Sequence, residues 1–315
     1  MNVQSNAVAE STLDPQETAP VAPSTTQPTF WAVRRELWEN RSIYIAPLGA
    51  AAVYLLGYLI GLFWVPASMH AMMASHSTPP LIALAMPYAH AAMLIMLTGF
   101  LVGIFYSLDA LHGERRDRSI LFWKSLPVSD LTTVLSKASI PLVVLPVLVF
   151  AVIVALQDLM WLLSAAGQLL GGHSAATQGT HLPLLEMQLV SLYSAVVLAL
   201  WHAPIYCWFL LVSGWARRAT FLWAVLPPIV IGAFEMIAFR TTHFGLLMQD
   251  RLFGFGEAAF DLTDKNGVPI DAHFIPLTQL APGRFLSNPS LWLGLAFAAL
   301  CLVLAVRQRR FQGPI

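Results

Sequence analysis

Charge is what this sequence has least of. Asp, Glu, Lys and Arg make up only 11% of its 315 residues, against about 25% in an ordinary soluble domain. So few charges cannot cover the surface of an average soluble enzyme. A formal net charge of zero leaves no bulk basic field to hold DNA or RNA. Cysteine is scarce as well. Cys207 and Cys301 both lie in apolar runs, which leaves neither a disulfide framework nor a cysteine zinc site. There is no G-x-x-x-x-G-K-[ST] loop to cradle ATP phosphates, no H-E-x-x-H and no G-x-S-x-G. Gly254-Phe-Gly256 lacks the strand–helix context of a dinucleotide loop. His70 with His76, and His173 with His181, have spacings that fit no standard metal site and read as solvated loop residues. No catalytic residue, metal or bound cofactor is therefore expected in this chain.

Apolar residues are what it has instead, at 57%. Six segments of about 20 apolar residues, each long enough to cross a hydrocarbon core of about 30 Å, account for that composition. The reading is an all-α polytopic membrane protein. Its spans fall near residues 43–64, 88–109, 138–163, 187–212, 221–240 and 290–306. The last is short. Gly57-Tyr-Leu-Ile-Gly61 and Gly99-Phe-Leu-Val-Gly103 are GxxxG patterns suited to close helix contact in spans one and two. Residues 1–27 are polar, without Lys or Arg, and read as a disordered tail rather than a secretory signal. Residues 28–310 form the transmembrane domain, and 311–315 a short tail.

The basic residues set an orientation. Of 17 Lys and Arg, 13 precede span one, lie between spans two and three or four and five, or follow span six. Loops 65–87 and 164–186 hold none. The positive-inside rule then puts both termini in the cytoplasm, in a bacterial inner membrane. Phe30 to Arg41 mixes Trp31 and Trp38 with Arg34 and Arg35 at helical spacing. This is either an interfacial helix lying on the membrane or a plain extension of span one.

Two places carry candidate function. Within the cytoplasmic loop 110–130, Glu114-Arg115-Arg116-Asp117-Arg118 interleaves both signs, and Ile120, Leu121, Phe122 and Trp123 follow. Such an element rests on the inner leaflet or docks a cytosolic partner. Inside the spans, His90 and Glu235 lie toward the outer side and His202 in the inner half of span four. Intramembrane ionisable groups need protein or water beside them. By depth, His90 suits Glu235 better than His202 does. Glu235 would line an outward vestibule or lock a gate, or else sit paired and neutral or snorkel to the headgroups. The outer loop 241–289 begins apolar enough to dip into the membrane and return.

The stretch from Leu111-His-Gly-Glu-Arg-Arg-Asp-Arg-Ser119 to Leu126-Pro-Val-Ser129 resembles the "GERRDGTLxxLLSLPVS"-like segment of the type-2 ABC transporter permeases. The interfacial helix, six spans, long first cytoplasmic loop and large last outer loop match the same family. The resemblance implies a permease subunit, an exporter by family analogy. Two copies, or this chain and a paralogue, would enclose the path. It also implies a separate cytosolic ATPase that holds ATP and Mg. In this family the loop is the coupling helix, so Glu114, Arg115, Arg116, Asp117, Arg118, Phe122 and Trp123 would meet that ATPase. Without the resemblance, a secondary transporter or a membrane anchor subunit is the alternative. The unequal cytoplasmic loops argue against the repeat a secondary transporter carries.

Overall fold

The computed structural model describes residues 26–63, 81–121, 128–170, 182–262 and 275–311. All of it is helix and connection, apart from one isolated β-bridge between Phe260 and Leu280. The order is α1 (Thr26–Glu39), α2 (Ser42–Phe63), α3 (Leu81–Asp109), a short α4 (His112–Arg116) and α5 (Asp130–Ser139). A π-helical turn (Ile140–Val144) joins α5 to α6 (Leu145–Leu170). Then come α7 (Leu184–Trp215), α8 (Thr220–Phe239), α9 (His243–Phe253), α10 (Phe255–Ala259), α11 (Pro282–Ser287) and α12 (Pro289–Phe311). The polar tail, residues 1–25, lies outside the described residues, and helix begins at Thr26.

Six helical stretches are long and apolar enough to cross a membrane, at the places read from the sequence. Several overrun the bilayer. Asp130–Gly167 is a continuous 38 residues, about 57 Å at 1.5 Å per residue against a core of about 30 Å. The overhang carries the chemistry described below. Pro141 and Pro146 fall where this long helix widens. Leu145 N bonds to Ile140 O, five residues back, so the ladder gains a residue where proline removes donors.

α7 is the central mast. Two thirds of its apolar window is buried, whereas α2 and α8 are 6% buried and line the periphery. α3, α6 and α12 pack around α7. Two glycines make this possible. A Cβ on Gly99 would stand 2.5 Å from Val149 Cγ2, and one on Gly103 would stand 2.8 Å from the Tyr206 ring. Gly57 and Gly61 meet nothing within 4 Å. Of the two GxxxG patterns, the second makes a close helix contact within this chain and the first does not.

The last span is not short: α12 runs for 23 residues, but it starts part-way along α7. Arg251 Nη2 at the end of α9 donates to Ser290 O (2.5 Å) and Ser290 Oγ (3.0 Å), and its guanidinium lies 4.7 Å from the Trp201 ring centre. Trp201 is 17 residues from the start of α7, about 25 Å along it. α12 thus begins alongside the middle of α7. The remaining height is filled by α9, α10, the bridge and α11, which pack on Val197, Trp201 and Tyr193. The apolar part of loop 241–289 does descend along α7, as its composition suggested.

Gly103→Val should drive its new methyls into Tyr206 and lower stability by about 1–3 kcal/mol, the usual cost of overpacking. Gly57→Val should leave the melting temperature of purified protein unchanged.

Candidate functional site: a buried ion cluster at one end of the bundle

At one end of the bundle, α1, α4, α5 and the end of α12 converge, and they bring charges into the interior. Glu36 of α1 is 1% exposed, Lys137 of α5 2%, Arg309 of α12 6% and Glu114 of α4 7%. Lys137 Nζ lies 2.8 Å from Glu36 Oε1 and 3.2 Å from Glu114 Oε1. Arg35 Nη2 also bridges the two, at 2.8 and 3.0 Å. Arg309 Nη1 donates to Glu114 Oε2 at 2.5 Å. Its Nε lies 3.2 Å from Asp130 Oδ1, an ionic contact rather than an aligned hydrogen bond. Tyr106 of α3 donates its hydroxyl to Glu36 Oε2 at 2.9 Å. Glu36, Glu114 and Asp130 face Arg35, Lys137 and Arg309, and the half-exposed Glu39 adds a fourth carboxylate 3.4 Å from Arg35. A buried ion costs several kcal/mol in desolvation unless partners compensate it. Here every carboxylate has a cation and every cation a carboxylate. Burial opposes the charge on Glu36, but Lys137 and Arg35 outweigh it and hold the carboxyl below its ordinary value.

The segment after α3 is further tied to the end of α7. Arg115 Nη1 donates to Gly214 O at 2.5 Å and contacts Ala216 O at 3.4 Å, satisfying carbonyls that the helix end leaves open. His112 Nδ1 lies 3.2 Å from Ala216 O, and Leu111 N donates to Ser213 Oγ at 3.3 Å.

The five charges read together from the sequence therefore divide. Glu114 and Arg115 are buried and serve contacts inside the chain. Arg116 and Asp117 are exposed, 59% and 63%, and pair with each other at 3.1 Å. Arg118 is exposed and left-handed, at φ 59°. A side chain there costs about 1–2 kcal/mol, and the resembling family segment carries glycine at this place. Ile120 is buried and Leu121 exposed. Phe122 and Trp123 lie outside the described residues.

On α1, Trp31, Arg34 and Trp38 face outward together. Arg34 sits 5.2 Å from both ring centres, a double cation–π contact. Val33, Glu36 and Leu37 turn toward α5. Arg35 lies between the two faces and reaches the cluster.

The candidates inside the spans part company. Glu235 accepts from Thr241 Oγ1 (2.7 Å), His243 N (2.8 Å) and Phe244 N (2.8 Å). It clasps the first turn of α9, where open N–H groups and the helix dipole favour a carboxylate. These partners belong to its own hairpin, in place of the His90 pairing expected from depth. His90 is exposed on α3. His202 meets Leu198 O (3.0 Å) and Leu252 O (3.3 Å), so it anchors the descending loop. Among the described residues, no three His, Cys, Asp or Glu gather in a way that could hold a metal.

No family model matches the chain, and no curated protein or solved structure is significantly similar to it.

Sequence reasoning passed over Glu36, Lys137, Arg309 and Tyr106. A usable signal existed in the register. Lys137 is three positions from Val134, on the side of α5 that packs, and Glu36 sits three after Val33.

Lys137→Met should leave Glu36 with Arg35 as its one remaining cation while Glu114 keeps Arg35 and Arg309, costing about 3 kcal/mol. Adding Glu36→Gln should recover part of that loss in thermal unfolding of the purified protein. The depressed Glu36 carboxyl contributes stability that is present above about 4.3, the ordinary glutamate value. That contribution is lost as pH falls through its lower folded value, because the unfolded chain takes up the proton first. Melting curves from pH 5 to pH 3 should fall less steeply for Glu36→Gln. Arg118→Gly should gain about 1 kcal/mol by relieving the left-handed residue.

Proposed function

We propose that this chain is the membrane subunit of an ATP-binding cassette exporter of the type-2 permease kind. It works as a pair of permease subunits with a separate cytosolic ATPase that holds ATP and Mg. The observation that carries the reading is the buried ion cluster. It joins α1, the segment after α3, the overhang of α5 and the end of α12 into one unit. Arg116, Asp117 and Arg118 stand exposed beside it. A force applied at that exposed patch reaches four helices at once, which is what a docking loop coupled to ATP-driven closure requires. The resemblance of residues 111–129 supplies the partner's class. The skew of basic residues supplies the orientation, with this end in the cytoplasm. α1, with its Trp31–Arg34–Trp38 stripe, then lies at the inner membrane interface.

In this mechanism Glu114 and Arg115 transmit rather than touch. The surface that meets the ATPase is Arg116, Asp117, Arg118 and the chain just after them. Closure of the ATPases shifts α4, and the cluster carries the shift to α5 and α12. The spans then rock between inward and outward states around a path enclosed by two subunits. Glu235 holds the descending loop over the outer end of that path.

Co-purification tests the reading. Full-length chain from native membranes should bring a stoichiometric ATPase. Arg116→Glu with Arg118→Glu, both at exposed positions, should reduce the retained ATPase at least tenfold while the chain stays folded. A chain that purifies alone and supports flux driven by an ion gradient would overturn it.

A further inference from the structure

A groove of about 390 Å³ runs along the outside of the bundle between α2 and α6. It begins at Tyr44 and Leu148 and ends at Leu55 and Leu159. Each wall therefore spans 11 residues, about 16 Å at helical rise. That is the depth of one leaflet, half of a core of about 30 Å. The volume falls within the range of about 300–1,000 Å³ typical of small-molecule sites. Ala52 and Ala155, exposed and facing the groove, leave the space that larger side chains would fill. A membrane-crossing helix of a second copy needs about 30 Å of seam, twice what the groove offers.

The mouth of the groove is charged. The groove opens at the end of the bundle that holds the ion cluster. Arg41 lies three positions before Tyr44, at the residue that opens α2 on that end. Its carbonyl accepts from Ile45 N at 3.0 Å, which places it at the first turn of α2. Its side chain is exposed, and no ion pair or hydrogen bond holds its guanidinium among the described residues. The nearby basic residues Arg35, Lys137 and Arg309 are all engaged by carboxylates. A leaflet-deep apolar slot with one unengaged guanidinium at its rim is complementary to a long acyl chain below an anionic headgroup.

We infer that the α2–α6 groove is a binding site for an anionic phospholipid, with one acyl chain between Ala52 and Ala155 and the phosphate at Arg41. This rests on the chain lying in a bilayer and not on transport or on an ATPase partner. A bound lipid would fill the space between span one and span three.

The test is native mass spectrometry of the delipidated full-length chain, with phosphatidylglycerol or phosphatidylcholine of equal chain length added back. Wild-type protein should retain one phosphatidylglycerol per chain, at least fivefold over phosphatidylcholine. Ala52→Leu with Ala155→Leu should fill the slot and cut retention of both lipids about tenfold. Arg41→Gln should keep binding but bring the ratio of the two lipids close to one. Retention unchanged in the filled variant overturns the site. So does a filled variant that keeps its lipid and loses a dimer, which would make the groove a seam between copies. If the filled variant does not fold, the Arg41→Gln ratio decides alone, and an unchanged fivefold preference overturns the assignment.

Discussion

Two buried glutamates organise this molecule. Glu36 and Glu114 come from segments 78 positions apart and sit among Arg35, Lys137 and Arg309 with almost no access to water. Neither carboxylate could stay ionised in that place alone. The cluster is stable only when all its members are present, and its members come from four helices, α1, α4, α5 and α12. α1 cannot leave without taking Glu36 from Lys137, which would then share Glu114 with Arg309. The end of α12 cannot move without uncovering Glu114. Apolar packing alone would let α1 slide on α5, because dispersion contacts are non-directional. The hydrogen-bonded charges remove that freedom by fixing register as well as proximity.

That constraint explains why the overhangs are so long. α5 continues α6 well past any bilayer boundary, with Lys137 buried inside this end of the bundle. α4 is only five residues, too short to be stable as an isolated helix. It is held by Glu114 on one side and by Arg115 and His112 on the exposed carbonyls of α7 on the other. The strained Arg118 sits where this anchored piece turns back. Left-handed residues persist when their surroundings over-determine them, and the anchors at Glu114 and Arg115 do that here.

The six spans were legible because length and apolarity suffice to mark them, and the descent of the outer loop because Leu246 to Phe260 is too apolar for a water-exposed connection. The site was only partly legible. The run from Glu114 to Arg118 reads as one charged surface, since adjacent residues in sequence look equivalent. The geometry of a five-residue helix turns Glu114 and Arg115 inward and Arg116 and Asp117 outward. On α5, Leu131, Val134, Leu135 and Ala138 recur at helical spacing and would share one face. The structure buries Val134, Lys137 and Ala138 and leaves Leu131 and Leu135 exposed. The face is rotated because Glu36 and Glu114 capture Lys137, and a captured charge outweighs two leucines that a membrane interface tolerates. The partners of Glu235 were hidden for another reason. They are backbone N–H groups of α9, and backbone donors leave no trace in a sequence.

The two ends of the bundle are built on different chemistry, and this bears on which end moves as a unit. The end where α1 meets the end of α12 is held by ion pairs among four helices. The opposite end is held by single groups meeting backbone: Glu235 on the N–H groups of α9, His202 on Leu252 O, Arg251 on Ser290 O and Tyr193 on Ala259 O. Each of these bonds fastens one loop to one helix, and breaking one leaves the others intact. At the ion cluster a displaced member strands its partners in a low-dielectric interior. Displacement is therefore cooperative at the first end and piecemeal at the second. In the proposed exporter, the first end would take the input and move as a body, and the second would open in parts.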